Sequence, residues 1–460
     1  MYKRKSDEMK KGLKRICNAV IVLIAGIVVG FLLMVGAYSI PVDRMVKHSE
    51  SAAEILYDMQ KMDITANLNQ WCGFGIDTFT DAIMISTSIC DSREKLLQRA
   101  MKNQRIEYDE IDAYTNLLKY YGIDAKNGKK IDPDTEYRSY SYARYWNGYV
   151  VILKPLLYLF DYKVVLVFNC IFQAGLALTD IALLIKRKKG FYVIPFLVFL
   201  GTVSLVTTSF CLQFSNVMYI TLISILVLLL FYEKINDSGK FIYLFLVNGM
   251  LLGYFDILTY PLAALGIPLV LYISIYENNI KSVLKRIICF STAWAFGYGG
   301  MWCSKWGLAT LLTEQNVIKN AFDSVSYRMN AKINMNNNGI SSDESIKNND
   351  INQGWISEFA YKDVIIRNLY GMFNIVIISV MIVLLTIFVW RIIDAGFKMT
   401  RNIAYISVPF LIISLYPFVW YRFVENHSYS HYFFTYRILS ISLFAVLCML
   451  IKIIEHIKKE

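Results

Sequence analysis

Runs of roughly 20 apolar residues recur along almost the whole chain, and a helix needs about that length to cross a hydrocarbon core near 30 Å thick. Few folds survive that constraint. In lipid every backbone polar group must be paired within its own segment or in a closed barrel, and runs this long select helices. The reading is an all-α, polytopic transmembrane helical bundle. Composition agrees, with 56% hydrophobic and 18% charged residues and a mean hydropathy of +0.42, so the prior of one soluble domain per roughly 150 residues does not apply. The formal net charge is +11, yet Lys and Arg fall in short clusters between apolar runs. There they set topology rather than form a nucleic-acid surface, and no nucleic-acid partner is expected.

The basic start MYKRKSDEMKKGLKR leads into an apolar run over residues 16–37, longer than the roughly 7 to 15 residues of a signal-peptide core. It reads as an uncleaved anchor with a cytoplasmic N-terminus, so residues 1–38 form a basic tail and a first span. Placing every basic cluster on the inner side gives one consistent solution of about ten spans. Residues 39–148 become a large external loop domain. Spans follow at 164–185, 191–208, 211–232, 241–276 taken as two, and 287–303, so that 149–303 is the first part of the bundle. At 1.5 Å per residue the run 241–276 is too long for one crossing, and Asp256 with Pro261 marks a break on the outer side. The short stretch 149–160, which contains Lys154-Pro155, reads as a re-entrant or surface helix. Residues 304–368 form a second external loop, with 306–322 expected along the membrane surface and the Asn-rich 330–352 expected to be mobile. Spans at 370–390, 403–420 and 432–454 complete the C-terminal part, 369–460, which ends in a cytoplasmic tail. The inner halves of the spans read as almost free of charge.

That topology collects the unusual polar residues on the outer side. Asp77 and Asp81, four apart in IDTFTDAI, share a face if helical. The spacing suits a proton acceptor, a cation site, or a pair whose repulsion raises one pKa; helix capping or plain solvation is the alternative. Arg144, Tyr145 and Trp146 stand where the chain re-enters lipid. They read as interfacial anchors, or as a site in which Arg144 grips phosphate oxygens and one ring offers an apolar face to a sugar. Asp256 is a carboxylate inside a long apolar run, a costly placement that marks a functional site or simply the turn of the break. Near the end, YRFVENHSYSHYFFTYR sets His427 and His431 four apart with Arg437 close by. One imidazole would contact a phosphate or relay a proton, with Arg437 as phosphate partner; a rim of interfacial histidines is the alternative. With no HExxH motif and no CxxC pair among eight cysteines, no metal set is expected, although the acid pair leaves room for a divalent cation. Cys72 and Cys90 share the first loop, as a disulfide or as two small buried thiols.

The segments FTDAIM, YARYWNGY followed by KPLL, FDILTYPLAALGIPL and HSYSHYFFTYR together resemble a group of polytopic membrane proteins from Gram-positive, low-GC bacteria. More distantly, the layout is similar to the C-type glycosyltransferases, the GT-C class: an inside N-terminus, a large acidic first external loop, around ten helices and a later external loop. The resemblance implies an enzyme of the bacterial plasma membrane that moves a sugar from a polyprenyl-phosphate-linked donor to an envelope acceptor at the outer face. An acid of the first external loop would serve as base or metal contact, a role that Asp77 or Asp81 would match. In GT-C enzymes that acid often lies a few residues beyond the first helix, where this chain carries Asp43. Membrane lipids are the other expected partners. Two further readings stand beside it: a transporter or flippase of lipid-linked envelope precursors, which would want polar residues along a path through the bilayer, and a non-catalytic scaffold for envelope assembly.

Overall fold

The computed structural model describes residues 2–66, 76–108, 112–236, 240–275, 279–330, 332–334, 356–372, 375–394 and 401–457. Cys72, and most of the stretch 330–352 expected to be mobile, lie outside them. The architecture is nearly all-α. Helix α1 (Tyr2–Tyr38) leads into a loop domain of α2 (Asp43–His48), α3 (Glu50–Ala66), α4 (Thr78–Ile89), α5 (Leu96–Lys102) and α6 (Ala113–Tyr120). Two short strands, β1 (Arg105–Glu107) and β2 (Arg138–Tyr140), pair antiparallel with Arg105 opposite Tyr140. The loop domain is not a separate body, because most of its buried apolar residues share one hydrophobic cluster with α1 and with Leu246, Met250, Tyr254 and Met301 of the bundle, while Ala53, Leu118 and Ile123 form a small cluster of their own.

The bundle is built from α7 (Val150–Leu159), α8 (Tyr162–Lys186), α9 (Val193–Val203), α10 (Leu205–Phe210), α11 (Leu212–Asn236), α12 (Phe241–Phe255), α13 (Leu262–Ile275) and α14 (Ile280–Leu312). After α15 (Val317–Met329) and α16 (Tyr361–Met372) it continues through α17 (Ile375–Asp394), α18 (Arg401–Ser414), α19 (Tyr416–Phe423), α20 (Glu425–Ser430), α21 (Tyr432–Thr435) and α22 (Ser440–Ile457). Among the described residues five helices are long and apolar enough to cross a membrane, Gly12–Tyr38, Tyr162–Lys186, Leu212–Phe231, Ile403–Phe423 and Tyr432–Ile457, and six if Tyr361–Met372 and Ile377–Phe388 form one span. The sequence reading counts about ten. The difference lies in segments that are helical where expected but short, as in Gly190–Val203, Phe241–Phe255 and Leu262–Ile275, or diluted by polar residues, as in α14.

Each break in an apolar run has a local cause. The run 191–208 divides at Ser204, which adopts a left-handed φ of 57° and whose hydroxyl caps α10. Helix α10 then ends within the bundle, and its last carbonyls take side-chain amides from α8: Gln173 donates to Thr208 O (2.8 Å) and Asn169 to Ser209 O (2.6 Å). This accounts for two amides on the buried face of a membrane helix, where an unpaired carbonyl is costly. The run 241–276 breaks at Asp256, as the sequence suggests. Helix α14 does not stop near 303 but runs to Leu312, so residues 306–322 are no single surface helix. Its polar extension is buried by the loop domain, since Lys305 Nζ donates to Met101 O at 2.8 Å.

Helices α12 and α14 lie closest, because a Cβ on Gly249 would collide with Trp294 O and one on Gly297 with Leu246 O; small residues let membrane helices approach this way. At the end of the bundle away from the loop domain, Lys452 donates to Ser274 O (2.9 Å) and Arg187 to Leu230 O (3.3 Å). Arg286 lies over the Tyr272 ring, so two of the basic inter-helix stretches and Lys452 of α22 gather at one end.

Candidate functional site

The first turn of α11 is the point on which the polar candidates converge. Asp81, on α4, accepts hydrogen bonds from Leu212 N (2.9 Å) and Gln213 N (3.1 Å), so a loop-domain carboxylate occupies the helix's positive end. It is 1% exposed. Burial lifts its pKa from 3.8 to about 7, against the two backbone bonds and with help from nearby Asp77. Asp77 itself caps α4, accepting from Thr80 N (3.0 Å) and the Thr80 hydroxyl (2.9 Å). The two acids thus do lie on neighbouring turns, one capping its own helix and the other capping a partner.

Next to Leu212 and Gln213 on α11, Phe214 receives three of the remaining elements. The Tyr260 hydroxyl donates to Phe214 O at 2.8 Å, the Arg437 guanidinium sits 4.2 Å above the Phe214 ring, and the Phe434 ring lies 6.0 Å away. Asp256 is in the non-helical break between α12 and α13. It accepts from Leu258 N (3.1 Å), Thr259 N (3.1 Å) and the Thr259 hydroxyl (2.5 Å), and burial raises its pKa to about 6 in spite of them. His427 Nε2 lies 2.8 Å from Leu258 O, tying the histidine turn to this break. The His431 ring is 4.7 Å from that of His427 and stacks on Phe434. Asn368 of α16 braces the turn, donating to Ser428 O (2.9 Å) and accepting from the Thr435 hydroxyl (2.7 Å). Arg437 is fully buried, with Nε donating to Val203 O (3.0 Å) and Nη1 to Phe433 O (3.2 Å).

Arg144, Tyr145 and Trp146 form a second group. Trp146 Nε1 donates to Met301 O (2.6 Å) and its ring packs 5.3 Å from Tyr254. Tyr145 meets Trp302 edge-on at 5.2 Å. Both rings are at most 3% exposed, so they are packing anchors between loop domain and α14, not open faces. Arg144 behaves otherwise. Its Nη1 donates to Asn320 (3.1 Å) and to Ser324 (2.6 Å) on α15, and it lines a cavity of about 410 Å³ with Tyr140, Ser141, Tyr142, Gln315 and Asn320. The two groups join through α14, where the Tyr298 ring lies 5.9 Å from Trp302, the neighbour of Tyr145, and a Cβ on Gly253, three residues before Asp256, would collide with Tyr298 O. Arg328 in turn sits 5.7 Å from the Tyr145 ring.

Several functional candidates were not read from the sequence. Arg105 is 2% exposed and lies over the rings of Tyr140 and Tyr142 at 4.9 and 5.5 Å. Lys154 donates to Ser88 O (2.7 Å) and Lys305 to Met101 O, both at 0% exposure. Asp180, in α8, is also 0% exposed, and neither of its oxygens has a hydrogen-bond partner among the described residues. It is one charged exception within the spans, whose inner halves read as almost free of charge. Only its single-residue signal, an acid in LALTDIALL near the basic 186–189, marked it. Cys90 is a free, buried thiol. No three His, Cys, Asp or Glu side chains among the described residues gather as a metal set. Comparison with family models, curated proteins and solved structures finds no match.

Proposed function

We propose that this protein is a membrane-embedded, GT-C-like glycosyltransferase that moves a sugar from a polyprenyl-phosphate-linked donor to an envelope acceptor at the outer face of the plasma membrane. The observation that carries the reading is the meeting of acids and cations from separate parts of the chain at one helix end: Asp81 on the backbone of Leu212 and Gln213, with Arg437 over Phe214 of the same turn. Ionisable groups so far apart in sequence, buried together, mark functional sites more often than structural ones. On this reading Asp81, held near pH 7, takes the proton of an acceptor hydroxyl as its oxygen attacks the anomeric carbon. The sugar–phosphate bond breaks, and the phosphate leaves with the bonding electrons. His431 and Arg437 stabilise its charge, and Asp256 holds His427 in place through the Leu258 carbonyl. The outer position of the loop domain and a bundle of about ten spans belong to the same proposal.

A translocation reading is favoured by one observation, the fully buried Asp180 in α8, because transport paths place ionisable groups inside the bilayer. One experiment separates the two. Purified protein in proteoliposomes is given a synthetic polyprenyl-phosphate-linked sugar and envelope polymer, and both transfer and lipid flipping are recorded. Transfer abolished by Asp81→Asn supports the enzyme; flipping without transfer, lost in Asp180→Asn, replaces it with a flippase.

A further inference from the structure

Arg367 of α16 stands half-buried at the rim of the histidine turn, and rings alone hold it. Its guanidinium carbon lies 4.5 Å from the ring centroid of Tyr429 on α20 and 4.4 Å from that of Tyr432 on α21, and Phe359 stacks on Tyr429 at 4.3 Å. Among the described residues Arg367 makes no hydrogen bond or ion pair. Ring contacts fix the charge without using any of its five N–H donors. The nearby carboxylates are turned elsewhere: Asp363, one turn earlier on α16, accepts from Ala360 N (2.8 Å) at the helix start, and Glu425 pairs with Arg422.

The surroundings of this cation are apolar and open. With 3.6 residues per turn, Arg367 falls between the buried line of Val364, Asn368 and Met372 and the exposed side of Ile366 and Tyr370. Helix α16 rests on the last turns of Ile403–Phe423, one of the helices long and apolar enough to cross a membrane, since the Tyr361 hydroxyl donates to Phe418 O (2.5 Å). Val419 and Phe423 at that end are exposed too. Arg367 therefore sits beside outward-facing apolar side chains at the level where a span ends.

We infer that Arg367, clamped by Tyr429 and Tyr432, binds the phosphate group of a membrane lipid at that boundary. A guanidinium meets phosphate oxygens with two parallel hydrogen bonds, and cations at the end of a span draw lipid headgroups. The exposed Ile366, Tyr370, Val419 and Phe423 suit the hydrocarbon of the same molecule, whereas a free phosphate ion has no use for them. The inference stands on the clamp and its apolar rim and does not need the transferase reading.

The test uses the full chain in an uncharged maltoside detergent, titrated with phosphatidylglycerol, a short-chain polyprenyl monophosphate, uncharged diacylglycerol and inorganic phosphate, with bound lipid counted by native mass spectrometry. At least one phosphate lipid is expected to bind about tenfold or more tightly than diacylglycerol, as a charge-assisted pair implies, and to weaken with added salt. Arg367→Met should remove that preference. Should this substitution loosen the histidine turn, Tyr370→Glu gives an independent reading, because Tyr370 is 80% exposed and the substitution sets a carboxylate one turn from the guanidinium. It should lower phosphate-lipid binding about fivefold or more with unchanged thermal unfolding. The phosphatidylglycerol and polyprenyl arms tell which lipid is meant. Equal binding of diacylglycerol, inorganic phosphate binding as tightly as the lipids, or wild-type affinity in either folded variant would overturn the site. Binding is read without any sugar, so an inactive transfer assay would count against the transferase and leave the lipid site standing.

Discussion

Asp81 and Leu212 stand 131 residues apart and are joined by a 2.9 Å hydrogen bond from the Leu212 amide to the Asp81 carboxylate. That bond fastens the loop domain to the start of a membrane helix. It also places a carboxylate, held near pH 7 by burial, beside the groups contributed by the Asp256 break and the histidine turn.

Asp81→Asn should lower stability by about 1 to 3 kcal/mol, because the amide offers one accepting oxygen where the carboxylate offers two. The pH dependence follows from the raised pKa. Between about pH 4 and pH 7 the folded protein holds this proton more tightly than the unfolded chain does, so the group's contribution is fully present below about 4 and is lost as pH rises to about 7. Apparent melting temperature in detergent across that window should fall less steeply in Asp81→Asn than in the wild type; identical slopes would show that Asp81 titrates normally.

Gly148→Ala should be severe. Gly148 N donates to Tyr254 O at 2.9 Å, and an added Cβ would meet both the Tyr254 ring and that carbonyl. The backbone carrying Arg144 to Trp146 must then shift from the end of α12, at a cost of about 1 to 3 kcal/mol as overpacking usually entails. Thermal unfolding reads the loss. A variant as stable as the parent would show that the contact is soft.

Lys305→Met should be close to neutral in stability or mildly stabilising. A fully buried ammonium with one carbonyl acceptor and a Trp146 ring at 5.5 Å costs desolvation that an apolar side chain of similar length avoids. Lys305→Ala should instead cost about 2 to 3 kcal/mol through the space it leaves. Denaturation of both variants beside the wild type checks this; a loss in Lys305→Met as large as that in Lys305→Ala would show that the charge itself holds the loop domain.

Asp180→Leu should raise thermal stability, since it removes a buried carboxyl whose oxygens find no partner among the described residues, a burden of roughly 1 to 3 kcal/mol. Under the transferase account sugar transfer persists in this variant. Loss of transfer together with gained stability would mark Asp180 as functional and favour translocation.

How far the sequence reveals this molecule depends on the distance over which each feature is determined. The break at Asp256 is legible because a charge and Pro261 interrupt an apolar run locally. The extension of α14 through Leu312 is not, because Ser304, Lys305 and Trp306 look like the start of a loop until the loop domain covers them: Lys305 reaches Met101, and Trp306 Nε1 reaches Arg144 O at 3.0 Å. Asp81 is conspicuous as a carboxylate, but its place on α11 is a tertiary fact with no local signal. The amides of Asn169 and Gln173 pass as ordinary residues of a span until the short α10 presents its carbonyls to them. Arg105, one of many loop cations by sequence, becomes notable only when β1–β2 pairing sets it opposite Tyr140.

The most direct test of the central claim is sugar transfer measured in sealed vesicles of defined orientation, with the synthetic polyprenyl-phosphate-linked donor supplied from the loop-domain side. The account predicts transfer on that side in the wild type and a fall of about a hundredfold or more in Asp81→Asn, the scale on which a positioned base acts. Wild-type activity in Asp81→Asn, or transfer confined to the opposite side, would contradict it.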